Sequence, residues 1–166
     1  MDKGDIVINQ VLQRLSGYTS YWWEKLCRQA ISGAEKDGYT FRLAQSWWGG
    51  ISKTERLEID LIAESTDDKA LLVGECKWTE SENASRLLFE LETKAKKLPF
   101  AQGEKIIPCL FLKNNPIDNP TQNVYVPNDI ITILKLKLRF IKFHRILFRQ
   151  SRQYRLAKKL LICKCD

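Results

Sequence analysis

The chain has 166 residues, 44% apolar and 28% charged, enough for one globular domain with an extension and a core that needs no staples. It has no run of about 18 apolar residues and no hydrophobic signal core in MDKGDIVINQ, so a soluble, cytoplasmic protein is expected, without a transmembrane helix. Five cysteines without a CxxC pair argue against a disulfide framework or zinc site, and a lone histidine, His144, argues against imidazole-based hydrolase chemistry. The net charge of +7 is unevenly spread. Residues 135–166 hold eleven Lys/Arg against Asp166 alone, so the preceding body is slightly acidic.

Residues 5–15 suggest a short helix or ordered leader. From Ser20, read as an N-cap, the apolar residues Trp22, Trp23, Leu26, Cys27, Ala30 and Ile31 predict a helix over about 20–35. Trp22 and Trp23 match its core face. Tyr39, Phe41 and Leu43 alternate as in a strand, which Trp47-Trp48-Gly49-Gly50 is expected to break. Residues 56–64 and 70–78 read as two strands joined by the turn residues STDDK. Alternation puts Glu58, Asp60, Ile62 and Glu64 on one face, and Leu71, Val73, Glu75 and Lys77 together on the next strand. Thr79 and Glu82 have capping-box spacing, predicting a helix to about Leu98 before Pro99. Residues 105–112 read as a strand, with Pro108 implying an edge or bulge. A last short strand and turn are expected in 124–134.

The hairpin brings chemistry together. Asp60 lies in an apolar strand, and Glu75 and Lys77 share a face of the next. Charged groups on such a sheet are costly unless paired or ligated. Two carboxylates and the Cys76 carbonyl suit a hard ion such as Mg²⁺ or Mn²⁺. Such an ion polarises a phosphate and acidifies an attacking water. Lys77 can steady the hydroxide or the developing charge. The alternative is a structural ion pair of Lys77 with Asp60 or Glu75. Glu58 either helps a second ion or is a solvated carboxylate.

Gly17-x-x-x-Tyr21-Trp22-Trp23-Glu24 with Arg28, then Trp47-Trp48, Glu58-Ile59-Asp60-Leu61-Ile62-Ala63 and Val73-Gly74-Glu75-Cys76-Lys77-Trp78 carry a resemblance. Over about residues 15–134 the chain resembles the C-terminal domain of unknown function of prokaryotic AAA-type ATPases. That domain is similar to the restriction-endonuclease-like PD-(D/E)xK superfamily, which includes archaeal Holliday-junction resolvases. The resemblance implies Asp60 and Glu75 as metal-binding acids, Lys77 as catalytic lysine and Glu24 as an assisting acid. Ile59 stands where the motif has proline. The superfamily also includes inactive DNA-binding and scaffolding versions, so a non-catalytic module is the rival reading.

Other signals carry less. Gly33 and Gly38 have P-loop spacing, but Tyr39 replaces the phosphate-binding lysine, so no ATP binding is expected. Trp47 and Trp48 are candidates to wall a cleft. The basic tail, with Arg145, Arg149, Arg152, Arg155, Lys158 and Lys159, can bind phosphate backbones, lie on an anionic surface or form a solvated helix. The expected architecture is α/β, a restriction-endonuclease-like mixed sheet flanked by helices in α-β-β-β-α-β order over 1–134, with a basic, helical extension over 135–166. DNA and an AAA-type ATPase are the expected partners, and a membrane is not.

Overall fold

The computed structural model describes residues 3–101, 103–118 and 122–140. The chain divides into a first unit, Met1–Ile130, and a second, Ile131–Asp166. The first is a mixed α/β domain. Helix α1 (Lys3–Ile31) precedes a hairpin, β1 (Glu35–Lys36) and β2 (Tyr39–Thr40). Strands β3 (Gln45–Gly50), β4 (Arg56–Glu64) and β5 (Ala70–Lys77) follow, then α2 (Ala84–Ala95), β6 (Lys105–Leu112) and β7 (Val124–Tyr125). The sheet order is β3-β4-β5-β6-β7. The first three strands pair antiparallel, whereas β6 and β7 join parallel. The described part of the second unit, residues 131–140, is helical.

The mixed sheet flanked by helices is as expected and has five strands, but several local expectations are corrected. The first helix begins far before Ser20: one helix runs through both predicted segments. Thr19 satisfies its hydroxyl by donating to the Leu15 carbonyl at 2.8 Å, so it does not break the helix. Gly33, at φ 73°, follows the helix end, and Asp37-Gly38, at φ 51° and 83°, forms a primed turn between β1 and β2. The glycine pair is therefore helix stop and hairpin turn. Trp47-Trp48-Gly49-Gly50 does not break a strand but is most of β3. Gly49 fits there because a Cβ would meet the Trp47 ring at 2.7 Å.

The capping box is also displaced. The Thr79 hydroxyl donates to Glu82, but α2 starts five residues beyond Thr79 and Asn83 is its N-cap, accepting from the Arg86 N–H at 2.8 Å. Asp118 accepts from the N–H groups of Ala84 and Ser85, both at 2.8 Å. A cap from 34 residues away leaves no local signal in sequence.

Helices cover both faces of the sheet. On one, Leu87, Leu91, Ala95 and Leu98 pack with Ile59, Ile62, Leu71, Val73, Leu110 and Leu112. On the other, α1 contacts β4 and β5, with Trp23, Cys27, Ala30 and Ile31 buried. Trp23 donates its indole N–H to the Phe111 carbonyl at 3.0 Å. Trp22 is not core as expected: it is 44% exposed, edge-on to Tyr18 and Tyr21, while its neighbour Trp23 takes the sheet side of the helix.

Gly74 marks the closest approach in the sheet. A Cβ there would meet the Phe111 ring at 2.7 Å and the Leu61 Cβ at 3.0 Å, both in fully buried residues. Gly74→Ala is expected to destabilise the domain by about 2 kcal/mol through overpacking, read as a lower urea midpoint at unchanged slope.

Candidate active site at the opening of β4 and β5

The site begins with a register step. Gln45 pairs with Ile62 and Trp47 with Ile59, so two steps on β3 match three on β4. The extra residue in β4 is a bulge at Asp60–Leu61. It changes the face assignment expected from simple alternation. Leu57 and Ile59 join Ile62 on the α2 side, whereas strict alternation separates them. Glu58 is exposed opposite Trp48, which is 74% exposed, and the charges acting most strongly on Asp60 are Glu75, Glu24 and Lys77.

The β4–β5 ladder runs from Glu64↔Leu71 to Leu61↔Gly74 and then stops. At the next position the Asp60 side chain takes over: Oδ2 accepts from the Cys76 N–H at 2.8 Å. The Asp60 carbonyl accepts from the Arg28 guanidinium at 2.7 Å, and the same Arg28 nitrogen lies 3.4 Å from Glu24. Strand alternation turns the Cys76 carbonyl to the same side as its N–H, toward the gap beside Asp60. The Cys76 side chain faces α1, hydrogen-bonded to the Cys27 thiol. That bond, then burial, pushes the Cys76 thiol well above its ordinary range. Cys27, Cys76 and Cys109 are all free thiols, as expected.

Glu75 and Lys77 point to the α2 side. Glu75 Oε1 lies 2.8 Å from Lys77 Nζ and Oε2 lies 3.3 Å from Lys94 Nζ. The Glu75 side chain is only 12% exposed. Burial alone would raise its pKa, but the two ammonium groups outweigh that and hold it below the usual carboxylate value. Burial likewise works against the charge of Lys77, and Glu75 more than offsets it, so the lysine stays protonated more firmly than usual. Asp60 goes the other way. Burial drives it up to about 6, Glu75 and Glu24 add to the rise, and the Cys76 N–H and Lys77 only partly oppose it.

Glu75, Glu24, Lys77 and the Cys76 N–H thus all act electrostatically on Asp60. Lys94 was missed by sequence reading because its ion pair joins α2 to β5 across 19 residues. Its place in the last turn, next to buried Ala95, is the signal that would have found it. Trp47 packs on the core against Phe100 at 5.6 Å. A cavity of about 430 Å³ opens beside Trp47 between Arg42, Ile62 and Phe100, and none of Asp60, Glu75 and Lys77 lines it. Arg145, Arg149, Arg152, Arg155, Lys158 and Lys159 lie outside the described residues.

Among the described residues no group of three or more His, Cys, Asp or Glu side chains is assembled to hold a metal. A hard ion would have to use two carboxylates and a carbonyl. Asp60 fits that role as a half-buried carboxylate that no ion pair among the described residues holds. Glu75 fits through the lone pairs its two lysines leave open, against the repulsion of their charges.

Fold and geometry together define a mixed α/β domain whose β4–β5 ladder stops beside two half-buried acids and a lysine. The chain belongs to DUF234, a family described as archaeal and bacterial proteins of unknown function, whose model matches residues 1–88, just over half of the sequence. No curated protein matches the chain. Among the described residues, no helix is long and apolar enough to cross a membrane.

The raised pKa of Asp60 has a thermodynamic consequence. The folded metal-free protein binds this proton more tightly than the unfolded chain, so stability falls as pH rises from about 4 to about 6. The full rise corresponds to about 3 kcal/mol, which solvent access reduces to about 1–2. Asp60→Asn keeps an acceptor for the Cys76 N–H without the charge. It is expected to be more stable than the parent by about 1–2 kcal/mol at pH 7.5, with the gap closing toward pH 4 in parallel denaturant titrations.

Proposed function

We propose that this domain carries a Mg²⁺- or Mn²⁺-dependent phosphodiester-hydrolysing site of the PD-(D/E)xK type that acts on DNA. One observation carries the reading. A bulge holds the Asp60 carboxylate against the Cys76 N–H, beside the Glu75–Lys77 pair, on a hairpin whose ladder ends there. That arrangement supplies two half-buried acids, a carbonyl turned to the gap and an ammonium close by. A structural ion pair between Glu75 and Lys77 does not account for a third charged group, Asp60, held half-buried beside Glu75 and Glu24.

In this reading Asp60, Glu75 and the Cys76 carbonyl hold the ion, and Glu24 assists from α1. When bound, the ion supplies Lewis-acid polarisation of the phosphate and a water acidified for attack. Glu24 is anchored by Arg28, which also fixes the Asp60 carbonyl, so α1 sets the height of the bulge. Lys77 presents its charge where a phosphorane would develop it. Asp60 must lose its proton to ligate, so metal affinity is expected to fall as pH drops through about 6. DNA as substrate, and an AAA-type ATPase as associated motor, enter through the resemblance of EID…GECKW to the ATPase-linked domains.

A second reading has its own support: both Glu75 oxygens are already held by lysines, as in a domain kept as a DNA- or partner-binding scaffold. Cleavage assays separate the two. The enzyme reading expects Mg²⁺- or Mn²⁺-dependent cutting of duplex or branched DNA, reduced at least about 10²-fold by Asp60→Ala and by Lys77→Ala. DNA binding without metal-dependent cutting, indifferent to both substitutions, would sink it in favour of the scaffold.

A further inference from the structure

We infer that Lys94 is an exchangeable counter-charge of the site: it neutralises Glu75 in the metal-free protein, yields to the ion and then offers its ammonium to a DNA phosphate. The inference rests on the metal-site reading above.

The argument is one of oxygen atoms and charges. Glu75 has two carboxylate oxygens, and each faces an ammonium, Lys77 on Oε1 and Lys94 on Oε2. An ion that takes a Glu75 oxygen competes with the ammonium on that oxygen and brings two positive charges up against it. Lys77 is tied to the same strand two residues away on the same face, and its contact is the shorter, 2.8 Å against 3.3 Å. Lys94 comes from a different element, the last turn of α2, on a side chain 39% exposed. The two lysine side chains are about equally exposed, so the longer contact and the separate element single out Lys94 as the partner that yields.

The charges agree. Glu24, Asp60 and Glu75 face Arg28, Lys77 and Lys94, so the metal-free cluster is balanced when Asp60 is ionised. Adding a divalent cation makes it strongly positive. Swinging the Lys94 ammonium outward relieves that excess while leaving a cation at the rim, where a polyanion would meet it. A long, flexible stem and three rotatable donors make lysine suited to such a move.

The test is metal binding, read by titrating Mn²⁺ into the intact chain by calorimetry, with DNA binding measured separately in Ca²⁺. Lys94→Met removes the competitor. Its Mn²⁺ dissociation constant is expected to be about three- to fivefold tighter than the parent's, the worth of a partly exposed ion pair. Lys94→Arg keeps the charge and is expected to stay within about twofold of the parent. In Ca²⁺, Lys94→Met is expected to bind a DNA duplex at least about threefold more weakly, with a shallower salt dependence. Melting curves of both variants report that the fold is kept. Mn²⁺ binding to Lys94→Met equal to or weaker than the parent's, or DNA binding unchanged, overturns the role of Lys94 and leaves the metal site standing. A parent chain that binds no Mn²⁺ overturns the metal site and this inference with it.

Discussion

The hydrogen bond from the Cys76 N–H to the Asp60 carboxylate is where the architecture turns from sheet to site. Up to Leu61↔Gly74 the two strands satisfy each other through backbone groups. Beyond that pair a side chain replaces a carbonyl as acceptor, and the strands are free to part without leaving the Cys76 N–H orphaned. The bulge, the gap and the inward acid follow from this substitution. So does the low tolerance nearby: Leu61 and Phe111 close on Gly74 one step away, which holds the last regular pair of the ladder in register.

Around that bond the charges form two linked halves. Arg28 joins α1 to the Asp60 carbonyl and to Glu24, and Lys94 joins α2 to Glu75. Each helix thereby touches the opening through one cation as well as through its apolar stripe. The placement of α2 in turn depends on Asp118, whose carboxylate caps it and is held down to about 2 by Ser85 and neighbouring N–H groups. A loop far along the chain therefore fixes where Lys94 can reach.

Strands β4 and β5 were legible in the sequence because alternation and the turn residues between them agree, and β6 because it is a short apolar run. The hairpin that brings Asp60 toward Glu75 and Lys77 followed directly. The face of Asp60 was not legible, because a bulge is one extra residue in a partner register that only the fold reveals. Residues 45–50 were misread since two glycines weigh against a strand locally, whereas the Trp47 ring lying on Gly49 favours it. The single long α1 was hidden by Ser20, which looks like a cap although Thr19 beside it bonds back within a continuous helix. Lys94 and Asp118 act across long stretches of chain, where no periodicity speaks. The Asp37-Gly38 turn, by contrast, was readable and was passed over for a P-loop comparison.

Pro108 sits in β6, a strand with a neighbour on each side, where proline is unusual. Leu110 turns its N–H to β7, donating to Asn123, so the missing N–H of Pro108 lies on that same flank, at a level β7 does not reach. That stretch of β6 is a second sheet margin, and it lacks a donor where an incoming strand would need one. The domain thus carries its own guard against stray strand addition on the β7 flank, set in the strand that lies alongside Glu75, Cys76 and Lys77.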